Sequence, residues 1–296
     1  SERVSCETLF LSGEAFFDIT DFTLLKQHLA RLADRIRSID ILVYLRQPSA
    51  SYVSLAQQRL KKGQQLPPLA RVELHKKVTP WKEIGEVHIR EFSRETLTRG
   101  DAVADAVSFC LGDDAELVLP SLRLNTSLSA EGMALLQKLS RDCYSQDQPT
   151  AHVPAAIRRL RDLLQRIEAD YSGHFTKPKP LEGVVAHLDS HDEDLERLSV
   201  DFGFRFTSFD SPSADGASCG KTLDVADVKD LVCVDPAKFD HLQTLVLHEL
   251  LKEEPRSPLS ALAAALKGRI RSSRLGTLAR MLRRRGPWSK SPDRRL

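Results

Sequence analysis

An arginine followed by three serines is the part of this sequence best suited to hold an anion. Arg46 ends a run of apolar residues, and Ser49, Ser51 and Ser54 follow within eight positions. Ser51 and Ser54 are three residues apart, so on a helix they share one face. A guanidinium fork beside hydroxyls and the first N–H groups of a helix is a suitable cradle for a phosphate. The alternative interpretation is a structural arginine at the end of a strand.

Other clusters of reactive side chains do not predict a ligand. The segment 187–192 holds two histidines and two aspartates, but an acidic stretch of this kind is typical of the start of a helix. The segment 215–222 imitates a phosphate-binding loop, yet only three residues lie between Gly216 and the Gly-Lys pair, where the motif needs four. We therefore predict no metal ion. The five cysteines are scattered without a Cys-x-x-Cys pair, which favours a reducing cytoplasm over a disulfide framework.

The elements around Arg46 follow a strand–helix–strand–helix pattern. Apolar or alternating runs predict strands at 6–13, 39–46 and 86–93. Leucine spacing and terminal proline or glycine residues predict helices at 21–40, 48–63 and 99–112. We therefore expect an α/β fold whose parallel sheet is covered by helices. Ligands of such a sheet bind beyond the carboxyl ends of its strands, which is where Arg46 lies.

The second half of the chain predicts helices joined by turn-rich linkers. Helical patterns cover about 129–142, 154–170, 191–201 and 237–253. We expect three parts along the chain: an α/β domain over 1–207, a linker and helix over 208–255, and a basic amphipathic tail over 256–296.

The net charge of +2 is the sum of two opposite parts. Residues 256–296 hold 12 basic residues and one acidic residue, which leaves 31 basic and 40 acidic residues in 1–255. A basic amphipathic helix is suited to lie on an anionic membrane. The alternatives are an acidic partner surface, nucleic acid, or a solvated helix with no partner. The two tryptophans are isolated, so we expect no stacking platform for nucleic acid.

A series of short motifs extends over residues 7–130. Its members are LSGE (11–14), LRQPSASYVS (45–54), KKG (61–63), Trp81 to Gly85, HIREF (88–92), RGD (99–101) and LNTSLS (124–129). In this order they resemble the PAPS-dependent sulfotransferases, and more specifically the bacterial sulfotransferase-like proteins associated with surface polysaccharides. The resemblance implies a P-loop-NTPase-like, three-layer parallel sheet that is incomplete at its N-terminus and is followed by a helical C-terminal part.

The resemblance also implies a reaction and a site. The reaction transfers a sulfuryl group from PAPS (3′-phosphoadenosine 5′-phosphosulfate) to a hydroxyl of a glycan or glycolipid. Arg46 and Ser54 match the family's arginine and serine on the nucleotide 3′-phosphate, with Ser51 beside them. Glu14 is the candidate base, with a solvated side chain as its alternative. Lys61 and Lys62 are candidate contacts for the charge of the sulfate or the nucleotide, or a pair of cations at the C-terminus of a helix.

One part of the family pattern is missing. The Gly/Ser/Thr-rich loop that grips the 5′-phosphosulfate has no counterpart in the 13 residues before Glu14. We therefore expect a truncated chain that binds PAP, the desulfated nucleotide, but sulfates poorly. The alternative is a non-catalytic protein that keeps the fold and acts by binding or through its basic tail. In either case we expect a cytoplasmic protein, with the inner membrane as the candidate surface for the tail.

Overall fold

The computed structural model describes residues 9–112, 127–143, 155–190, 193–207 and 223–252. The fold is mixed α/β and mostly helical, with one small parallel sheet among the described residues. Its strands are β1 (Asp40–Leu45) and β2 (Glu86–Glu91). The helices are α1 (Thr23–Ala30), α2 (Pro48–Lys61), α3 (Leu74–Val78), α4 (Ala102–Leu111), α5 (Ala130–Cys143), α6 (Ala155–Asp170), α7 (Glu182–Leu188), α8 (Glu193–Phe202), α9 (Val228–Leu231) and α10 (Pro236–Lys252).

The two strands confirm the predicted parallel pairing. They run side by side from the pair Asp40 and Glu86 to the pair Leu45 and Glu91. Their backbones come unusually close at the first pair, because a Cβ atom on Gly85 would lie 2.2 Å from the carbonyl oxygen of Ile39. Only glycine fits there, so the Trp81 to Gly85 motif sets where β2 begins.

The two faces of the sheet pack against different helices. On one face, a buried apolar cluster joins the strands to α3 and α8. Its members are Val43, Leu45, Leu74, Val78, Leu198, Phe204 and Phe206. On the other face, Tyr44 and Arg90 bind the carboxylate of Asp105 on α4. Both faces of the sheet are therefore covered by helices, as is typical of parallel strands.

The chain divides into two compact units. The first unit comprises Ser1–Ser51, Ala70–Leu122 and Val185–Thr222, and it contains the sheet. The second comprises Tyr52–Leu69, Arg123–Val184 and Leu223–Leu296, and its described part is helical. Its interior is built from fully buried side chains of α5, α6 and α10, such as Leu136, Leu160 and Leu242. The predicted division at 207 and 255 stays a prediction.

Two predicted elements differ from the structure. Residues 9–13 of the predicted first strand form no strand, and Leu9, Phe10 and Leu11 are exposed. A strand needs a neighbour to bond its backbone groups, and the described sheet offers only β1 and β2. The helix expected over 21–40 ends at Ala30, because leucines such as Leu24 stay exposed and no packing extends it. The other helices and strands predicted by periodicity are confirmed to within about three residues at each end.

None of the described helices combines the length and the apolar character that crossing a membrane requires. The basic tail, 256–296, and the loop-like segment 215–222 lie outside the described residues.

Candidate functional site

Arg46 directly follows β1, at the carboxyl end of the sheet. Its guanidinium carbon lies 4.6 Å from the centre of the Phe92 ring. Phe92 is held there because its N–H donates to the carbonyl of Leu45 at 2.6 Å, one step beyond the last strand pair. Stacking on a ring fixes the plane of the guanidinium while leaving its N–H groups at the edge to donate.

The Arg46 guanidinium has no carboxylate to neutralise it among the described residues. The side chain is half-buried, and burial lowers the pKa of its guanidinium, which nevertheless stays charged at neutral pH. A partly desolvated cation without an anionic partner interacts strongly with an anion that reaches it. Arg46 therefore has the properties of an anion-binding group.

Ser51 and Ser54 lie one turn apart on α2, as predicted. Both are half-buried, and neither hydroxyl has a hydrogen-bond partner within the described part of the chain. Ser51 belongs to the first compact unit together with Arg46, whereas Ser54 belongs to the second. Both hydroxyls are thus free to bind a ligand, but only Ser51 shares a unit with Arg46.

Ser49, the remaining serine of the predicted phosphate site, is already hydrogen-bonded within the chain. The N–H of Ser49 donates to one carboxylate oxygen of Asp189 at 2.7 Å, and its hydroxyl donates to the other. Burial raises the pKa of Asp189, and these hydrogen bonds act in the opposite direction. The first turn of α2 therefore holds a carboxylate of the chain itself, which contradicts the idea that the Ser49 hydroxyl is available to a phosphate.

A neighbouring arginine holds Asp189 in place. Arg71 donates from Nε to the carbonyl oxygen of His187 at 2.8 Å and also binds the hydroxyl of Ser190. These contacts fix the turn after α7 from which Asp189 reaches Ser49. The segment 187–192 was predicted to lead into a helix with an acidic first turn, and α8 begins at Glu193 with Glu193, Asp194 and Glu196 in that turn. Asp189 has a further contact, through which it stabilises the start of α2. His191 and Asp192 lie outside the described residues.

The remaining predicted site residues lie elsewhere. Glu14 opens a short 3₁₀ turn, Glu14–Asp18, after Gly13; its side chain lies outside the described part, so its role stays a prediction. Lys61 ends α2 in the second unit. Burial and the charge of Arg161 lower the pKa of Lys61, while the charge of Glu168 raises it.

The structure adds a buried carboxylate that the sequence did not single out. Asp105 on α4 is fully buried, and it accepts hydrogen bonds from the Tyr44 hydroxyl at 2.7 Å and from Arg90 at 2.7 Å. The N–H and hydroxyl of Thr98 donate to it at 3.0 and 2.9 Å. Although burial acts to raise its pKa, these hydrogen bonds and the charge of Arg90 hold the pKa of Asp105 below its ordinary value.

The contacts of Asp105 organise the sheet beside Arg46. Tyr44 and Arg90 face each other across β1 and β2, so one carboxylate joins both strands to α4. The Tyr44 ring also meets the Phe92 ring edge-on, with 6.2 Å between their centres. The ring that supports Arg46 is thus itself supported by a buried polar network.

Comparison of the chain with protein-family models, with curated proteins and with solved structures finds no match.

Proposed function

We propose that the chain binds the 3′-phosphate of PAP or PAPS through Arg46, Ser51 and Ser54. The observation that carries this proposal is the half-buried guanidinium of Arg46, which has no anionic partner among the described residues. It follows a parallel strand at the carboxyl end, where ligands of such sheets bind. Ser51 supplies an unpaired hydroxyl in the same unit. The resemblance adds Ser54, the next serine along α2.

The fold we propose is a three-layer parallel sheet of the P-loop NTPase type, of which β1 and β2 are two strands. Its support is the parallel pairing of these strands and the helices on both faces, with α4 on one side and α3 and α8 on the other. In a parallel sheet both faces must be covered, which is the arrangement around these two strands.

The reaction we propose is sulfuryl transfer from PAPS to a hydroxyl of a glycan or glycolipid in the cytoplasm, slow in residues 1–296 alone because the 13 residues before Glu14 hold no counterpart of the loop that grips the 5′-phosphosulfate. The acceptor oxygen forms a bond to sulfur, the bond from sulfur to the nucleotide oxygen breaks, and Glu14 takes the acceptor proton. Catalysis of such a transfer depends on positioning and on stabilising charge, as in phosphoryl transfer. Arg46 and the two serines contribute by anchoring the donor nucleotide. No metal ion takes part in this scheme.

The experiment that tests the assignment compares two nucleotides by calorimetric titration of the full chain. PAP and AMP share the adenosine and the 5′-phosphate but differ in the 3′-phosphate. We expect PAP to bind at least about tenfold more tightly, because a charge-assisted contact to the 3′-phosphate is worth about 1.5 to 3 kcal/mol. Equal affinity for PAP and AMP would contradict the proposed role of Arg46.

A second candidate function rests on the charge of the tail. Residues 256–296 hold 12 basic residues against one acidic residue, in a chain whose remainder is acidic. In this alternative the protein keeps a sulfotransferase-like fold without catalysis and binds an anionic membrane surface through the tail.

A further inference from the structure

Two carboxylates and an imidazole meet at the start of the sheet, at the edge opposite Arg46. Asp40 and Glu86 are the first residues of β1 and β2 and stand directly opposite each other. His88 follows two residues after Glu86, so its side chain lies on the same face. Its Nε2 atom lies 3.2 Å from an oxygen of Asp40 and 3.9 Å from an oxygen of Glu86. All three potential ligand atoms lie within 4.8 Å of one another.

The backbone forces the two carboxylates together. The N–H of Glu86 donates to the carbonyl oxygen of Ile39 at 2.9 Å, and the missing side chain of Gly85 allows that close approach. Sliding one strand past the other would break the whole register, so Asp40 and Glu86 cannot move apart along the sheet. Two like charges held at this distance repel each other, and a cation between them removes the repulsion.

The surroundings of His88 restrict where its ring points. The ring packs against Phe109 of α4, with 4.8 Å between the two ring centres. The next residue on α4 is Cys110, a half-buried free thiol whose pKa is raised by burial and by the charge of Asp40. An imidazole beside two carboxylates is the environment of a borderline divalent metal rather than of Ca²⁺ or Mg²⁺.

We propose that Asp40, Glu86 and His88 bind a divalent transition-metal ion of the Zn²⁺ type, with water completing the coordination. Zinc bonds to such nitrogen and oxygen atoms are about 2.0 to 2.2 Å long, which places ligand atoms about 3 to 3.5 Å apart. The three ligand atoms now lie within 4.8 Å of one another, and small rotations of the two exposed carboxylates bring them to that separation. The ion would fasten the first residues of the two strands to each other.

This site is independent of the proposed nucleotide site. Arg46 comes six positions after Asp40, a distance of about 20 Å along a strand. The ion therefore has a structural role at the amino end of the sheet and takes no part in binding a phosphate at the carboxyl end. A failure of either proposal leaves the other unaffected.

The test is a calorimetric titration of ZnCl₂ into the full chain after treatment with EDTA and buffer exchange. We expect saturable binding at one site with micromolar affinity in the wild type. The variant His88→Ala should lose at least tenfold in affinity, and the near-isosteric Glu86→Gln should weaken binding as well. The control His28→Ala removes an exposed histidine of the same unit and should bind as the wild type does.

A melting experiment separates loss of the site from loss of the fold. An ion that binds only the native state raises the melting temperature. We expect zinc to raise the melting temperature in the wild type and in His28→Ala, and to raise it less at the same zinc concentration in His88→Ala and Glu86→Gln, each folded by circular dichroism. Absence of saturable binding, or variants at residues 86 and 88 that bind as tightly as the wild type, would overturn the proposal.

Discussion

Arg46 and Asp105 show how differently two charged residues are used within the same unit. Asp105 is buried and satisfied by Tyr44, Arg90 and Thr98, so its charge stabilises the sheet and its helix. Arg46 is half-buried, supported only by the Phe92 ring, and without an anionic partner in the described residues. A charge that is positioned but not neutralised is suited to a ligand, whereas a neutralised one is suited to stability.

Replacing Asp105 by Ala should lower the free energy of unfolding by about 3 kcal/mol, because buried donors and a cation lose their acceptor. The matched control is Asp101→Ala, four residues earlier. Asp101 caps α4 by accepting from the N–H groups of Val103 and Ala104, both at 2.9 Å. Loss of a cap costs about 1 kcal/mol. Urea denaturation of both variants measures the difference, and equal losses would contradict the network.

The pH dependence of stability, compared between the wild type and Asp105→Asn, tests the direction of the Asp105 pKa shift. The pKa of Asp105 is lower in the folded state than its ordinary value, so its stabilisation is complete above that ordinary value and is lost as pH falls through the lowered one. Wild type should therefore lose more stability than Asp105→Asn when the pH is taken from about 5 to about 3. An equal loss of stability in the wild type and Asp105→Asn over this pH range would contradict the lowered pKa of Asp105.

The sequence predicted some of these residues and could not predict others. Arg46 was predicted because a cation ends an apolar run. The bond between Asp189 and Ser49 joins residues 140 positions apart, so no local pattern reveals it. The same holds for Asp40 and His88, which are 48 positions apart and meet only through the strand register.

At the scale of elements, the periodicity of apolar residues predicted the helices and strands correctly where those residues also pack into the interior. β1 was predicted from an apolar run in which Val43 and Leu45 are buried, and α2 from its boundaries at Pro48 and Gly63. The predicted first strand was wrong over 9–13 because an apolar run does not show whether a neighbouring strand exists. The short helices α3, α7 and α9 escaped prediction, since five, seven and four residues are too few to display a period.

The start of the sheet offers a sharp test at this scale. Gly85→Ala should destabilise the protein by about 2 kcal/mol, because the added Cβ would lie 2.2 Å from the backbone oxygen of Ile39 and the strands must separate. The matched control is Gly183→Ala on α7, where a Cβ meets nothing within 4 Å. Gly183→Ala should therefore stabilise the protein by up to about 1 kcal/mol, because alanine favours a helix over glycine. Equal melting temperatures of Gly85→Ala and Gly183→Ala would contradict the close approach of Gly85 to the backbone of Ile39.

At the scale of the whole molecule, the two compact units differ in secondary structure. The first unit holds the parallel strands, Arg46, Ser51 and the Asp40–Glu86–His88 cluster. The second unit is helical in its described part and takes its stability from buried leucines on α5, α6 and α10. The chemistry proposed here therefore resides largely in the first unit.

The basic tail, residues 256–296, lets the second candidate function, binding to an anionic membrane, be tested by vesicle sedimentation. If the tail binds membranes, the full chain should sediment with vesicles that contain anionic lipid, and residues 1–255 alone should remain in the supernatant. Neutral vesicles and raised salt are the controls, since electrostatic binding is lost in both. Equal sedimentation of the two chains with anionic vesicles would exclude the tail as the membrane contact.

The central claim is that Arg46 binds the 3′-phosphate of the nucleotide, and calorimetric titration of PAP into three proteins tests it most directly. These are the wild type, Arg46→Ala, and the control Arg31→Ala, which removes an exposed arginine of the same unit. We predict that wild type and Arg31→Ala bind PAP equally, and that Arg46→Ala binds it about tenfold to a hundredfold more weakly. Undiminished binding by Arg46→Ala, or no binding of PAP by the wild type, would contradict the account.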